Sequence, residues 1–170
     1  MFAVRMIHLI DAHAARISEQ LIGQLEKSDN CKELMQRVPR HELEMRAHEI
    51  YHHLSEWLLS TTHAEMEERY IGIGMRRANQ GVPLSELLFA FALTKDCLWE
   101  HLEQDGLFED PVELIGDLHL LRSVGRFFDR VAHAAAIGYE TAHARKAYLS
   151  GSNSPDDVRA PDDVLQTKAS

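Results

Sequence analysis

An all-α fold follows from three features of this sequence. Apolar residues recur at three- and four-residue steps along each long segment, helix-start and helix-stop chemistry brackets those segments, and no stretch alternates as a half-buried strand does. Together they predict five long helices and one short one in a single helical domain over residues 1–149, followed by an acidic, disordered tail over residues 150–170.

The first helix is expected from Val4 to Lys27, with Ile7, Ile10, Ala14, Ile17, Leu21 and Leu25 on its inner side. Ser28, Asp29 and Asn30 interrupt it, a short helical piece covers Cys31 to Arg37, and Pro39 opens a third helix carrying Leu43, Ala47, Ile50, Leu54, Trp57 and Leu58 as a one-sided stripe. Thr62 with Glu65 three residues later is a capping-box pattern, so a fourth helix runs through Met66, Tyr70, Ile73 and Arg77 to Asn79–Gly81, with Gly72 and Gly74 letting a neighbour come close. Gly81 to Leu102 is the most apolar segment and the expected centre of the bundle. Pro83 suits its first turn, Gly106 suits a left-handed C-terminal cap, and Leu84, Leu87, Leu88, Phe91, Leu98 and Leu102 form its main stripe. Asp110 as N-cap, Pro111 and Glu113 then announce the last helix, whose Leu114, Leu118, Leu121, Gly125, Phe128, Ala132, Ala135, Tyr139 and Ala142 carry it to Leu149 unless Gly125 or Gly138 bends it. A helix of that length is longer than the body of the domain, so part of it should protrude. The tail repeats Pro-Asp-Asp-Val at Pro155 and Pro161.

Composition narrows the function. Lys+Arg 18 against Asp+Glu 27 gives a net charge of −9, which argues against a nucleic-acid or anionic-membrane surface and for a protein partner or small ligand. The N-terminus lacks the apolar core and cleavage site of a signal peptide, and no run is long enough to span a membrane, so a cytoplasmic location is expected. Cys31 and Cys97 are read as reduced, buried thiols. The 11 histidines could offset most of the −9 charge near pH 5.5, so acidification is a second candidate signal.

Two segments say more than composition does. Tyr70-Ile-Gly-Ile-Gly-Met-Arg-Arg-Ala-Asn-Gln-Gly-Val-Pro-Leu-Ser-Glu-Leu-Leu88 runs into Thr94-Lys95 and Leu98-Trp99, and Gly125-Arg-Phe-Phe-Asp-Arg130 is followed by Gly138-Tyr-Glu140. Over about residues 10 to 145 this pattern resembles the N-terminal sensor domain of the RsbR/RsbRD stress-regulator family, also found ahead of bacterial histidine-kinase modules. The resemblance implies a globin-like helical fold without haem, no enzymatic activity, and transmission of a signal to an output module. With no output domain after the last helix, the expected partner is a separate regulator or kinase.

Metal and haem are the rival readings. His48-Glu49-Ile50-Tyr51-His52 matches the HExxH zinc-protease spacing, but on a helical wheel His48 lies roughly 130° and His52 roughly 170° from the stripe centred between Ala47 and Ile50, on the solvent face. Glu49 with His52, and Glu140 with His143, supply the two Glu-x-x-His pairs of a di-iron bundle, but a cage cannot close when one pair faces away from the core. For a proximal haem ligand, His101 lies off its helix's main stripe, which leaves His63 as the remaining candidate. No catalytic residue, metal or cofactor is therefore expected.

Charged residues on apolar stripes are the more informative ones. Lys95 falls among Leu88, Phe91, Leu98 and Leu102, and Arg77 continues the Met66, Tyr70, Ile73 line. A buried cation must be paired or reach water along its own stem, so partners such as Asp129 or Glu86 are the plain reading. The sharper one is that Arg77 and Lys95 line a pocket for an acidic ligand. Finally, Val131 to Ala147 is rich in Ala and includes Gly138, which suits close helix-to-helix approach. A homodimer through Phe128, Val131, Ala135, Gly138, Tyr139 and Ala142 is expected, with a heterodimer to a full-length regulator as its variant; in the family resembled, the last two helices build a four-helix dimer interface.

Overall fold

A computed structural model describes residues 2–59 and 64–151. The helices are α1 (Phe2–Lys27), α2 (Lys32–Arg37), α3 (Arg40–Leu59), α4 (Ala64–Asn79), α5 (Leu84–Gln104), α6 (Pro111–Gly116) and α7 (Leu118–Gly151), with a 3-10 turn over Asp29–Cys31 before α2. Among the described residues there is no strand, and no helix is long and apolar enough to cross a membrane. Thr62 of the expected capping box, His63 and the tail from residue 152 lie outside the described residues.

Local chemistry sets the helix ends. α4 and α5 close in the same way, on a glycine with positive φ: Gly81 at 73° and Gly106 at 71°. In each case the glycine N–H donates to a carbonyl three residues back (Ala78, Glu103) and the next N–H donates to one five residues back, Val82 to Arg77 and Leu107 to Leu102. Both following residues, Val82 and Leu107, are buried, so each closure also pins the chain to the core. Four residues after Gly106, Asp110 Oδ1 accepts from the Val112 N–H at 2.9 Å, which is the N-cap expected of it. The helix it starts is not the long one. It stops at Gly116, and α7 begins anew at Leu118, with Asp117 accepting the first turn's bonds through its carbonyl from Leu120 and Leu121. The expected single helix is thus two, broken at Asp117, and α7 passes through Gly125 and Gly138 without interruption.

α5 touches α1, the 3-10 turn, α2, α4 and α7, as a central helix should. Its buried arc is displaced from the expected stripe: Leu87, Thr94, Cys97, Leu98, His101 and Leu102 are enclosed, while Leu88 is exposed. The cause is α1, which lies along α5 and covers the side that includes His101. α3 also departs from a one-sided stripe, because α1 covers one side and side chains of α4 reach the other; Glu42, Tyr51, His53 and Ser55 are buried along with the apolar positions.

The most extensive helix pair is α4 with α7. Gly74 faces the backbone of Ala135 and Gly138 faces the backbone of Ile71, so closely that a Cβ on either glycine would overlap a carbonyl of the facing helix. Small residues at such crossings let backbones approach where side chains normally keep helices 8–10 Å apart. This overturns the expected dimer face. Phe128, Val131, Ala135, Gly138 and Ala142 are buried inside the protomer, and Tyr139 donates from its hydroxyl to the Val82 carbonyl at 2.8 Å. The Ala/Gly-rich face of α7 packs on α4 of its own chain.

We expect Gly74→Ala and Gly138→Ala each to destabilise the fold by about 1–3 kcal/mol, as overpacking does, because the obstructing atoms are backbone. Gly125→Ala, with nothing within 4 Å of the added methyl, should be neutral or stabilising by up to about 1 kcal/mol through helix propensity. Urea denaturation of the three variants checks both signs.

Candidate functional site

The largest group of buried polar side chains lies on α3 and α4, with Ser18, Thr94 and His101 on α1 and α5. Glu42 and Arg77 are both buried, and Arg77 Nη1 donates to Glu42 Oε1 at 2.7 Å and to Gln80 Oε1 at 2.7 Å. Arg76, on the surface side, adds a bond from Nη2 to Glu42 Oε2 at 3.2 Å. The expected pairing of Arg77 with Asp129 or Glu86 is therefore replaced by Glu42, which sits on the buried side of α3 opposite α4. Glu86 is engaged elsewhere: its Oε2 accepts the Leu34 N–H at 2.8 Å and caps the start of α2, while Asp129 is exposed.

Burial raises the proton affinity of the Glu42 carboxyl, but the bond and charge of Arg77 and the charge of Arg76 outweigh it, so the group ends below its ordinary value of 4.5. Burial in turn lowers the Arg77 value, against the pull of Glu42.

About two turns back toward the start of α4 is a second cluster. Arg69 Nη1 is 2.7 Å from His53 Nε2, and His53 Nδ1 is 3.0 Å from the Tyr70 hydroxyl. A guanidinium can only donate, so Nε2 must be the lone-pair nitrogen and Nδ1–H must donate to Tyr70 Oη. Burial first, and then the Arg69 charge, hold His53 below its ordinary value and keep it neutral, while burial holds the Tyr70 hydroxyl protonated, well above the ordinary tyrosine range.

Between these clusters and the facing helices lies a cavity of about 70 Å³. α1 supplies Leu21 and Leu25, α2 Leu34, α3 Leu43, Arg46, Ala47, Glu49 and Ile50, α4 Tyr70, Ile73 and Arg77, and α5 Leu87, Ala90, Phe91 and Thr94. The charged groups of the wall lie along the α3–α4 side, and Thr94 is the polar residue from α5. On the α3–α4 side Arg46 Nη1 donates to Glu49 Oε2 at 2.7 Å, while its Nε is buried with no acceptor among the described residues. Of the two cations expected to line a pocket, the structure brings Arg77 to the wall and leaves Lys95 off it, half-buried on α5. The second lining cation is Arg46, whose position between Met45 and Ala47 carried no apolar-stripe signal; only the two-sided burial of α3 turns it inward.

The other candidates are placed as follows. His48 and His52 are exposed, with His52 3.6 Å from Glu56, and Glu49 is held by Arg46, so the HExxH residues do not converge. Glu140 and His143 are exposed on α7, away from Glu49 and His52 on α3 as ligands of one ion. His101 is a correction: expected off its stripe, it is buried, with Nε2 3.0 Å from Asp105 Oδ2 and 2.8 Å from His13 Nδ1. Burial lowers its proton affinity, Asp105 pulls the other way, and His13 and Arg16 add to the lowering. Cys31 and Cys97 are buried free thiols, each pushed up to about 11 chiefly by burial, and so are poor nucleophiles.

Among the described residues the all-α bundle encloses a small void whose charged lining groups, Arg46, Glu49 and Arg77, lie along the α3–α4 pair, room for a small molecule rather than a groove for a polymer. The chain belongs to the family described as the RsbT co-antagonist protein rsbRD N-terminal domain, which it matches over residues 9–149. No curated protein and no solved structure gives a significant match.

Two outcomes follow from the buried pair. Glu42→Ala should cost about 3–5 kcal/mol by leaving Arg77 buried without its countercharge, and Glu42→Leu combined with Arg77→Met should recover most of that loss, which a double-mutant cycle in urea would read. Because Glu42 binds its proton less readily folded than unfolded, its contribution is present above pH 4.5 and is lost as pH falls through the lower folded value. Denaturation midpoints should therefore drop more steeply below pH 4.5 for the native chain than for the Glu42→Leu/Arg77→Met pair.

Proposed function

We propose that this domain is a non-catalytic sensor: occupation of the cavity between α1, α3, α4 and α5 displaces α4, and α7 carries the displacement to a protein partner. The observation that carries this reading is that α4 belongs to both sites. Through Tyr70, Ile73 and Arg77 it forms the cavity wall, and through Gly74 and Ile71 its backbone rests on α7 without intervening side chains. Helices in backbone contact move together, because no side chain between them can change rotamer to absorb a shift.

The size of the void supports the same mechanism. At about 70 Å³ it is smaller than the cavities of about 150 Å³ that admit benzene, so a ligand of more than a few heavy atoms must part α3 from α4. The free Arg46 Nε and the apolar walls fit a small molecule with one accepting oxygen, such as a short-chain carboxylic acid.

Output runs through α7. From His143 onward every described residue is exposed, so the helix extends beyond the body it packs on. With the Ala/Gly face turned inward, the surface left for a partner is the stripe Ile137, Ala144 and Tyr148, which share one side of the helix and are all exposed. A homodimer through this stripe is the assembly proposed here, with a related regulator or a kinase of a stress-signalling system as the alternative occupant. The family's description as an RsbT co-antagonist supports a partner of that kind.

Light scattering at micromolar concentration tests the assembly: a mass near twice 19.4 kDa, halved by Ile137→Glu, supports it, and a mass of 19.4 kDa in the native chain removes it. Ala135→Glu, which would test the face first expected, should now unfold the protein instead. For the cavity, a thermal-shift screen of short-chain acids should give hits that Arg46→Met loses; identical hits in both proteins would end the proposal.

A further inference from the structure

Outside the cavity, a separate cluster joins α1 to the end of α5. His13 Nδ1, His101 Nε2 and Asp105 Oδ2 form a triangle with edges of 2.8, 3.0 and 3.0 Å. The two rings meet edge to face, with centroids 4.9 Å apart. His101 and Asp105 are one helical turn apart, and His13 is 88 residues away from His101 in sequence. The cluster lies two turns from the cavity along α1, where the first lining residue is Leu21, and nearly two along α5, where the last is Thr94.

Protons do not satisfy this triangle. An imidazole nitrogen either donates or accepts, so the edge between the histidines needs one of each. The accepting nitrogen then faces a carboxylate oxygen across an edge with no proton, two lone pairs 3.0 Å apart. If both nitrogens carry protons, two N–H groups stand 2.8 Å apart with no acceptor between them. A cation inside the triangle's reach accepts all three lone pairs at once. Metal–nitrogen and metal–oxygen bonds of about 2.1 Å meeting at right angles put neighbouring ligand atoms about 3.0 Å apart, which is the spacing seen on two edges, with the third a little shorter.

We propose that His13, His101 and Asp105 bind a divalent first-row transition-metal ion as two imidazoles and one carboxylate on one face of its coordination sphere, clamping α1 to the C-terminal end of α5. His101 is buried, so packing holds its ring in place, and its Nδ1 has no acceptor among the described residues. His13 and Asp105 are partly exposed and open a path from solvent to the remaining coordination positions, which water fills. The site lies at the C-terminal end of α5, where the helix dipole adds favourable potential for a cation.

The test is a titration of chelator-treated protein with Zn²⁺ by calorimetry and with Co²⁺ by visible absorption. One saturable equivalent is expected, with affinity falling at least roughly tenfold in His13→Ala and in Asp105→Ala, and unchanged in the control His48→Ala/His52→Ala. His13 and Asp105 are chosen because they are partly exposed, and folding of each variant is confirmed by circular dichroism. The melting temperature should rise with Zn²⁺ in the native chain and not in His13→Ala. No saturable equivalent, an affinity untouched by His13→Ala and Asp105→Ala, or binding that vanishes with His48 and His52 would overturn the site.

Discussion

The arrangement of this domain depends on two helices touching backbone to backbone. Gly74 and Gly138 remove the side chains that would hold α4 and α7 apart, and each glycine lies against a carbonyl of the opposite helix. Because that contact commits one full face of α7, it decides which residues the longest helix can show to anything else. It also ties α7 to Tyr70, Ile73 and Arg77, which line the cavity from the other side of α4.

A second constraint comes from the polar groups that α3 and α4 bury between them. Glu42 with Arg77 and Arg69 with His53 and Tyr70 join the same helix pair at two levels. Buried ion pairs contribute little net stability relative to apolar substitutes, but breaking one costs several kcal/mol, so they restrict the register in which the two helices can pack. Here that restriction also sets the chemistry of the cavity: Glu42 answers Arg77 and Glu49 answers Arg46, and among the described residues the buried wall donor left without an acceptor is Arg46 Nε. Charge neutralised within the protein leaves an interior suited to a mostly apolar molecule.

The cluster at the end of α5 shows the same dependence on distant neighbours. Asp105 and His101 are joined by their own helix, but the third member arrives from α1, and that arrival is what buries His101. The His48 and His52 pair has the more familiar spacing and lies open to solvent. Ligand spacing within one helix places two groups on a face; it does not place a third group opposite them.

What the sequence determined by itself was local. Helix class follows from periodicity, and the stops at Gly81 and Gly106 and the start at Asp110 follow from backbone chemistry within a few residues, so all were readable without a fold. The pattern over Tyr70–Leu88 and Gly125–Glu140 was enough to mark the family, and these two segments carry Gly74 and Gly138 of the close α4–α7 contact. Tertiary structure alone decided which apolar or small face meets which. An Ala/Gly-rich stripe reads the same whether its partner is another chain or α4 of its own, and a cation on an apolar stripe reads the same whether Glu42, Asp129 or a ligand answers it. Helical phase fixes the direction of a side chain relative to its own axis, whereas its partner is set by chain segments tens of residues away, whose approach depends on the packing of the whole bundle.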